Sequence, residues 1–157
     1  MTDELKPQIR ASAAPDTDAL NELLRRTIRA SYSPFLGVEA VEAYIGSGAV
    51  ETFTAETVER GSVVTLGDKI AGYGVETGNQ VDLLVIDERF HRLGLGTAML
   101  AHLERRLFEN FDLLSLESFR DNDAANAFYL GKGWRKIREY REPDYGVEMV
   151  ELQKDAP

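Results

Sequence analysis

Apolar positions recur along this chain with two different periods, and the change of period divides it. Leu20, Leu23, Leu24, Thr27, Ile28 and Ser31 stand at i, i+3, i+4, i+7, i+8 and i+11, the spacing of one helix face. Ahead of them, Pro15-Asp16-Thr17-Asp18 supplies a stiff turn, capping side chains and acids near the positive helix end. Ser33-Pro34 is expected to break this helix, because proline has no N–H to donate. Val38, Val41, Tyr44 and Ile45 predict a shorter second helix ending near Gly46 and Gly48. Residues 8–13 suit a short first strand, and 49–60 favour neither period.

From residue 62 the pattern becomes strand-like. Ser62–Leu66 and Ile70–Val75 flank Gly67-Asp68-Lys69, a hairpin turn, and Gly78-Asn79 turns the chain again into 81–86. Leu83–Ile86 is apolar on both faces, which predicts a central strand. A second striped helix is expected over 94–109, a strand over 113–119, and a short helix capped by Asn122 or Asp123 with Gly131 and Gly133 as stop signals. Strands over 134–140 and 146–152 complete the order. The sum is an α+β domain on one mixed sheet.

Composition narrows the chemistry. The absence of cysteine excludes a disulfide framework, a thiolate zinc site and a cysteine nucleophile. With His91 and His102 as the only histidines, no metal site is expected. Acids outnumber bases by 27 to 18, a net charge of −9, which argues against nucleic acid and anionic membranes and suits a cationic small molecule. The opening Met-Thr-Asp-Glu-Leu-Lys has no apolar stretch, and no run approaches the roughly 20 residues of a membrane span. A cytoplasmic protein is the expectation.

The most informative segment is 84–100. A central strand runs out, the chain turns, and Gly94 and Gly96 open a helix. Glycines there let backbone N–H groups converge on an anion, and the helix N-terminus adds unpaired donors, so a pyrophosphate is the natural guest. Neither Gly72-x-Gly74 nor Gly94-x-Gly96 has a third glycine three residues on, and no Gly-x-x-x-x-Gly-Lys-Ser/Thr occurs. Rossmann and P-loop readings both fail.

Phe90-His91-Arg92-Leu93-Gly94-Leu95-Gly96-Thr97 resembles the acyl-CoA loop of the GNAT superfamily, Gln/Arg-x-x-Gly-x-Gly/Ala after a central strand. Asn122, Ala125, Phe128 and Tyr129, followed by Gly133-Trp134, resemble the family's Asn-x-x-Ala-x-x-Phe-Tyr and Gly-Phe. The order of elements also agrees, so the resemblance spans nearly the whole chain. It implies a single GNAT-like domain over residues 1–157, with a mixed, mostly antiparallel sheet of about six to seven strands and about four helices. The fourth and fifth strands would splay apart to admit the cosubstrate. The implied activity is transfer of an acetyl group from acetyl-CoA to a primary amine, by direct attack in a ternary complex, the acceptor being a small molecule. The alternatives are a non-catalytic acyl-CoA-binding module and a protein or peptide N-terminal acetyltransferase. Exposed edges at the first or last strand would suit a homodimer.

The resemblance assigns roles residue by residue. Pantetheine would run along Leu84, Val85 and Ile86, and the pyrophosphate would meet His91, Arg92, Leu93, Gly94, Leu95, Gly96 and Thr97. His91 departs from the family's Gln or Arg, which puts the first side-chain contact in question. Asn122 either touches the cosubstrate or caps its helix. Tyr129 falls at the general-acid position; a phenol is protonated at neutral pH and can donate to a departing thiolate. Glu117, a carboxylate on an otherwise apolar strand, is the general-base candidate, with Asp82 its rival. An acceptor site is expected from Tyr32, Phe35, Leu36, Tyr73 and the loop 140–145, where aromatics and acids would suit an amine.

Overall fold

Leu20, Leu23, Leu24 and Thr27 turn one face of the first helix inward, and all four are buried in the computed structural model, which describes residues 6–157. The reading of the N-terminus as lacking a leader therefore lies outside the described residues, apart from Lys6. The strands are β1 (Pro7–Ala11), β2 (Ser62–Leu66), β3 (Lys69–Thr77), β4 (Gln80–Ile86), β5 (Leu113–Phe119), β6 (Arg135–Arg141) and β7 (Glu148–Asp155). The helices are α1 (Thr17–Leu36), α2 (Val38–Gly46), α3 (Ala49–Thr57), α4 (Leu95–Phe108) and α5 (Asp123–Gly131). The strands form one seven-stranded mixed sheet in the order β1-β2-β3-β4-β5-β7-β6, the β4–β5 pair being parallel. Its parallel ladder comprises Gln80↔Ser115 and Val81↔Leu116, at the start of β4.

Two expectations about helices are corrected. Ser33-Pro34 does not break α1, which runs on to Leu36. Pro34 costs a single N–H bond in the last turn, where Gly37 N–H still reaches the Ser33 carbonyl at 2.9 Å. Residues 49–57 form α3, a fifth helix where about four were expected. Its inward positions Val50, Thr54, Thr57 and the following Val58 do have helical spacing, but two of the four are threonines and weaken the apolar signal.

Contacts gather the chain into two compact units: one holds the residues up to Val75 with Leu83–Leu103, the other Glu76–Asp82 with Glu104–Pro157. The core of the first is Leu20, Leu23, Leu24, Val50, Val58, Val63, Tyr73, Val75 and Val85. Within it, Gly72 is held to a hydrogen by close approach: a Cβ there would lie 2.8 Å from the Val85 carbonyl and 2.5 Å from Ile86 Cδ1. At the end of β4, Asp87 N–H donates to the Ala71 carbonyl at 2.8 Å, and the Asp87 side chain is buried to 1% exposure. That carboxylate accepts the Arg89 amide at 3.0 Å and the Arg89 guanidinium at 2.8 Å, with Arg26 at 3.6 Å. Burial pushes the Asp87 carboxyl up, but Arg89 and Arg26 more than offset this and leave it below the usual value.

In the second unit, β7 lies between β5 and β6, so it is not a sheet edge as expected; the edges are β1 and β6. β6 carries Arg135, Lys136, Arg138, Glu139 and Arg141 and is exposed along almost its whole length, a composition that discourages pairing with another edge. On one face of β5 and β7, Leu114, Leu116, Val150 and Leu152 are buried. The buried indole of Trp134 donates to Glu104 at 3.0 Å, and Lys154 Nζ reaches the other oxygen of the same carboxylate at 2.7 Å. No helix among the described residues is long and apolar enough to cross a membrane.

Two consequences can be measured. Gly72→Ala must push a methyl against the β4 backbone and should cost about 1–3 kcal/mol in urea unfolding, with the m-value unchanged; a loss of only a few tenths would show that β3 and β4 can part freely. Asp87 titrates lower folded than unfolded, so its stabilisation is complete above the unfolded value of about 4 and fades as pH falls through the folded one. The gap in urea midpoint between wild type and Asp87→Asn should therefore be constant from pH 7 to 5 and close towards pH 3. A gap that persists undiminished into acid would mean that the carboxylate charge contributes nothing.

Candidate active site

The end of β4 and the loop after it form a turn whose backbone geometry suits an anion. Asp87 caps a single 3-10 turn, Glu88–Phe90, through the Arg89 amide, and His91 follows in extended conformation. Arg92 then takes φ 67° and Gly94 φ 77°, two left-handed residues separated by Leu93. Arg92 is the one non-glycine with positive φ among the described residues. Such a conformation costs on the order of 1–2 kcal/mol, so something other than local preference holds it. Alternation of this kind turns successive N–H groups towards one point. The first α4 bond runs from Ala98 N–H to the Gly94 carbonyl at 3.0 Å, so the amides of Leu95, Gly96 and Thr97 precede the helical ladder and are donors for an anion. A Cβ on Gly94 would meet nothing within 4 Å, so this glycine serves the backbone angle and the space beside it is open. These residues fit a pyrophosphate.

His91 has a different part from the one its position suggested. Its Nε2 lies 2.9 Å from the Ile86 carbonyl; a carbonyl only accepts, so Nε2 carries the proton and ties the loop back to the strand. Arg92 and Leu93 are exposed, Leu93 to 59%. Leu95 is buried and anchors the helix start beneath them. Along β4, Val85 faces the core, while Leu84 and Ile86 are half-buried.

The proton-transfer candidates belong to the second unit. Glu117 is exposed: β5 buries Leu114 and Leu116 on one face and turns Ser115, Glu117 and Phe119 to the other. The place of a carboxylate on this otherwise apolar strand is thus the open side that period-2 alternation gives it. Across the sheet, Glu117 stands opposite Glu151 and that in turn opposite Arg138; Phe119 stands opposite Met149 and that opposite Tyr140. Burial first, and then the Glu117 carboxylate, push the Tyr140 phenol up to about 12. Asp82, the rival base, accepts the Thr77 hydroxyl across the β3–β4 turn. Tyr129 is 8% exposed, with Trp134 edge-on at 6.1 Å and Phe128 at 5.4 Å between centroids. Its carbonyl accepts from Lys132 and Trp134 amides, which fixes the end of α5. Asn122 caps α5, its Oδ1 accepting the Ala125 amide at 3.4 Å.

Of the expected acceptor residues, Tyr73 is fully buried, its hydroxyl bonded to Thr57 at 2.7 Å, and so belongs to the core. Glu142 uses both carboxylate oxygens on the amides of Asp144 and Tyr145, each at 2.7 Å, and shapes the β6–β7 turn. Tyr145 and Asp144 remain exposed there. Tyr32 and Phe35 pair at 5.7 Å near the end of α1. A separate cavity of about 590 Å³ on α1 is lined by Glu22, Arg25, Arg26, Arg29 and Glu88, but its arginines are matched by Glu51, Asp87 and Glu42. Asp87 is the residue that sequence reasoning missed. Its one legible signal is an acid two residues before an arginine at a strand end, a pattern too common to single out.

The pattern of the acetyltransferase (GNAT) domain family matches residues 34–156. No curated protein matches the sequence. Among solved structures, a GCN5-related N-acetyltransferase from Rhodopseudomonas palustris superposes with a TM-score of 0.83 at 16% identity, covering 96% of each chain. The PaiA N-acetyltransferase of Thermoplasma acidophilum, in complex with coenzyme A, gives 0.76 at 14% identity over 96% of this chain and 99% of its own. The ribosomal-protein-S18-alanine N-acetyltransferase of Escherichia coli gives 0.69 at 20% identity over 96% and 94%. With cradle, strand order and family pattern in agreement, the chain belongs to the GNAT acetyltransferase family.

Proposed function

We propose that this protein is an N-acetyltransferase that moves the acetyl group of acetyl-CoA to a primary amine of a small molecule, by direct attack in a ternary complex. The observation that carries the reading is the cradle: left-handed Arg92 and Gly94 ahead of the amides of Leu95, Gly96 and Thr97. Strain at Arg92 is what a backbone built for an anion looks like, and the diphosphate of coenzyme A is an anion of the right size. Arg92, exposed beside the cradle, adds a charge-assisted contact. Acetyl-CoA supplies the activated acyl group as a thioester.

The remaining chemistry falls to two side chains. Glu117 takes a proton from the incoming ammonium, directly or through water, and leaves a nucleophilic amine. As the C–N bond forms and the C–S bond breaks, Tyr129 gives its phenolic proton to the departing sulfur, and the second proton that the nitrogen sheds in becoming an amide restores the phenol by way of solvent. Asn122 serves as a cap that sets the direction of α5 and hence of Tyr129, rather than as a ligand to the cosubstrate.

Thermal unfolding with acetyl-CoA, CoA, NAD and ATP tests the cradle. At about 100 times its dissociation constant a ligand adds roughly 2.7 kcal/mol, which for this length raises the midpoint by about 5–10 °C. The shift is expected with the two CoA species alone; none with either would remove the reading. Arg92→Gly relieves the left-handed strain, so the ligand-free midpoint should hold or rise while the acetyl-CoA shift shrinks; a lower ligand-free midpoint contradicts the strain argument. For the chemistry, thiol release from acetyl-CoA would be followed with spermidine, free lysine and an alanine-initiated peptide as acceptors. Glu117→Gln and Tyr129→Phe should each lose about 10²–10⁴-fold in turnover and keep the acetyl-CoA shift. Wild-type rates in Glu117→Gln would reject it as the base, and activity on the peptide alone would reject a small-molecule acceptor.

A further inference from the structure

The cavity of about 590 Å³ on α1 lies wholly within the first compact unit, lined by Glu22, Arg25, Arg26, Arg29, Ala30 and Glu88. Its three guanidiniums differ in what they have left to offer. Arg25 donates to Glu51, and Arg29 forks onto both oxygens of Glu42 at 2.8 and 3.1 Å. The Arg26 side chain makes no hydrogen bond among the described residues. Its ion pair with Asp87 spans 3.6 Å, beyond hydrogen-bond reach, and its Nε is buried without a partner. Asp87 is already taken: the amide, Nε and Nη2 of Arg89 donate to it at 3.0, 3.2 and 2.8 Å. One carboxylate thus faces two guanidiniums, and Arg26 is the one left with its donors unused. An arginine so placed in a cavity wall lacks the bidentate acceptor that its fork fits.

The acids of the lining decide between an anion and a zwitterion. Glu22 and Glu88 are exposed and enter no ion pair among the described residues. Glu22 stands one turn before Arg26, a spacing at which the two could pair, yet no hydrogen bond or ion pair joins them. The Asp87 hydrogen bond first, and the charges of Glu22 and Glu88 after it, raise the Arg89 guanidinium, but that fork is spent on Asp87. A purely anionic guest would be repelled by Glu22 and Glu88, and a purely cationic one by Arg26. A guest carrying both charges on one short frame satisfies both sets. We propose that this cavity binds a free α-amino acid, its carboxylate held by the Arg26 fork and its ammonium by Glu22 and Glu88. Ala30 and the alkyl stems of Arg25 and Arg29 are the apolar part of the wall, left for the side chain. An amino acid falls within the acceptor class proposed above, but its binding here needs neither acetyl-CoA nor Glu117.

The test is calorimetric titration of each standard L-amino acid into the full chain, with no acetyl-CoA present. At least one should bind with a dissociation constant of about 1 mM or below. Its amide, which lacks the carboxylate, and its N-acetyl derivative, which lacks the ammonium, should each bind about 10-fold more weakly. Arg26→Lys keeps a positive charge opposite Asp87 but loses the planar fork. It should weaken the amino acid about 10-fold and leave the amide unmoved. Glu22→Gln alters an exposed residue outside any ion pair, so it keeps the test open should Arg26→Lys fail to fold; it should weaken binding about 5-fold. No binding by any amino acid overturns the proposal, and so does an N-acetyl derivative that binds as well as its parent. Unchanged affinity in Glu22→Gln, or in folded Arg26→Lys, overturns it equally. Every readout is binding alone, so a missing acetyl-CoA shift would remove the proposed reaction and leave this site standing.

Discussion

The loop that defines this protein hangs on one buried carboxylate. Asp87 sits where β4 ends, and no water reaches it to replace a lost partner. Its amide closes the sheet onto Ala71, and its side chain receives both the amide and the guanidinium of Arg89. A buried charge without partners would cost several kcal/mol, so the chain must turn where Asp87 finds them. Everything downstream inherits that turn: the 3-10 segment, the return of His91 to the Ile86 carbonyl and the left-handed pair at Arg92 and Gly94. The His91 bond closes the segment a second time, five residues on. A strained backbone persists only where its surroundings over-determine it, and here a capped turn and a side-chain tie do so from opposite ends.

The second unit solves a different problem, that of fixing one enclosed and one exposed side chain, Tyr129 and Glu117. α5 is fixed at its start by the Asn122 cap and at its end by Lys132 and Trp134 amides on the Tyr129 carbonyl. Trp134, Glu104 and Lys154 form a network in which both oxygens of a largely buried carboxylate have donors, so the helix end is rigid. Tyr129 thereby gains a defined position from its backbone and from two edge-on aromatic neighbours. Glu117 is placed oppositely, on the exposed side of β5. In the roles proposed for them, an acid keeps its proton until the sulfur departs, which enclosure helps, and a base stays ionised and reachable, which exposure favours.

Much of this was legible in the sequence, and the failures are instructive. The period of Leu20, Leu23 and Leu24 located α1, and the glycines of 94–96 located the cradle, because each signal is local. α3 escaped because threonine fills two of its inward positions, Thr54 and Thr57, and composition then looks polar where packing is not. Pro34 was over-read as a break because its cost depends on how many turns remain after it, and almost none do. The register slip that brings Arg138 and Tyr140 onto the Glu117 face cannot be inferred from spacing at all, since it depends on pairing with β7. Tyr73, expected in the acceptor site from the family resemblance, is buried, and its hydroxyl partner Thr57 lies sixteen residues away on a helix.

Charge was the least reliable guide of all, and the reason is physical. A net charge of −9 suggested a field that draws in cations, but a formal count cannot see which acids are already engaged. Glu142, expected in the acceptor loop, puts both oxygens onto backbone amides and so has little left to offer an amine. Glu42 and Glu51 pair with arginines of α1, and Asp16 with Arg10. Glu117, exposed on β5 and opposite a second carboxylate, Glu151, stands apart from these tied acids. Local pairing, rather than the overall field, therefore decides which acids of this surface are left to meet a cation.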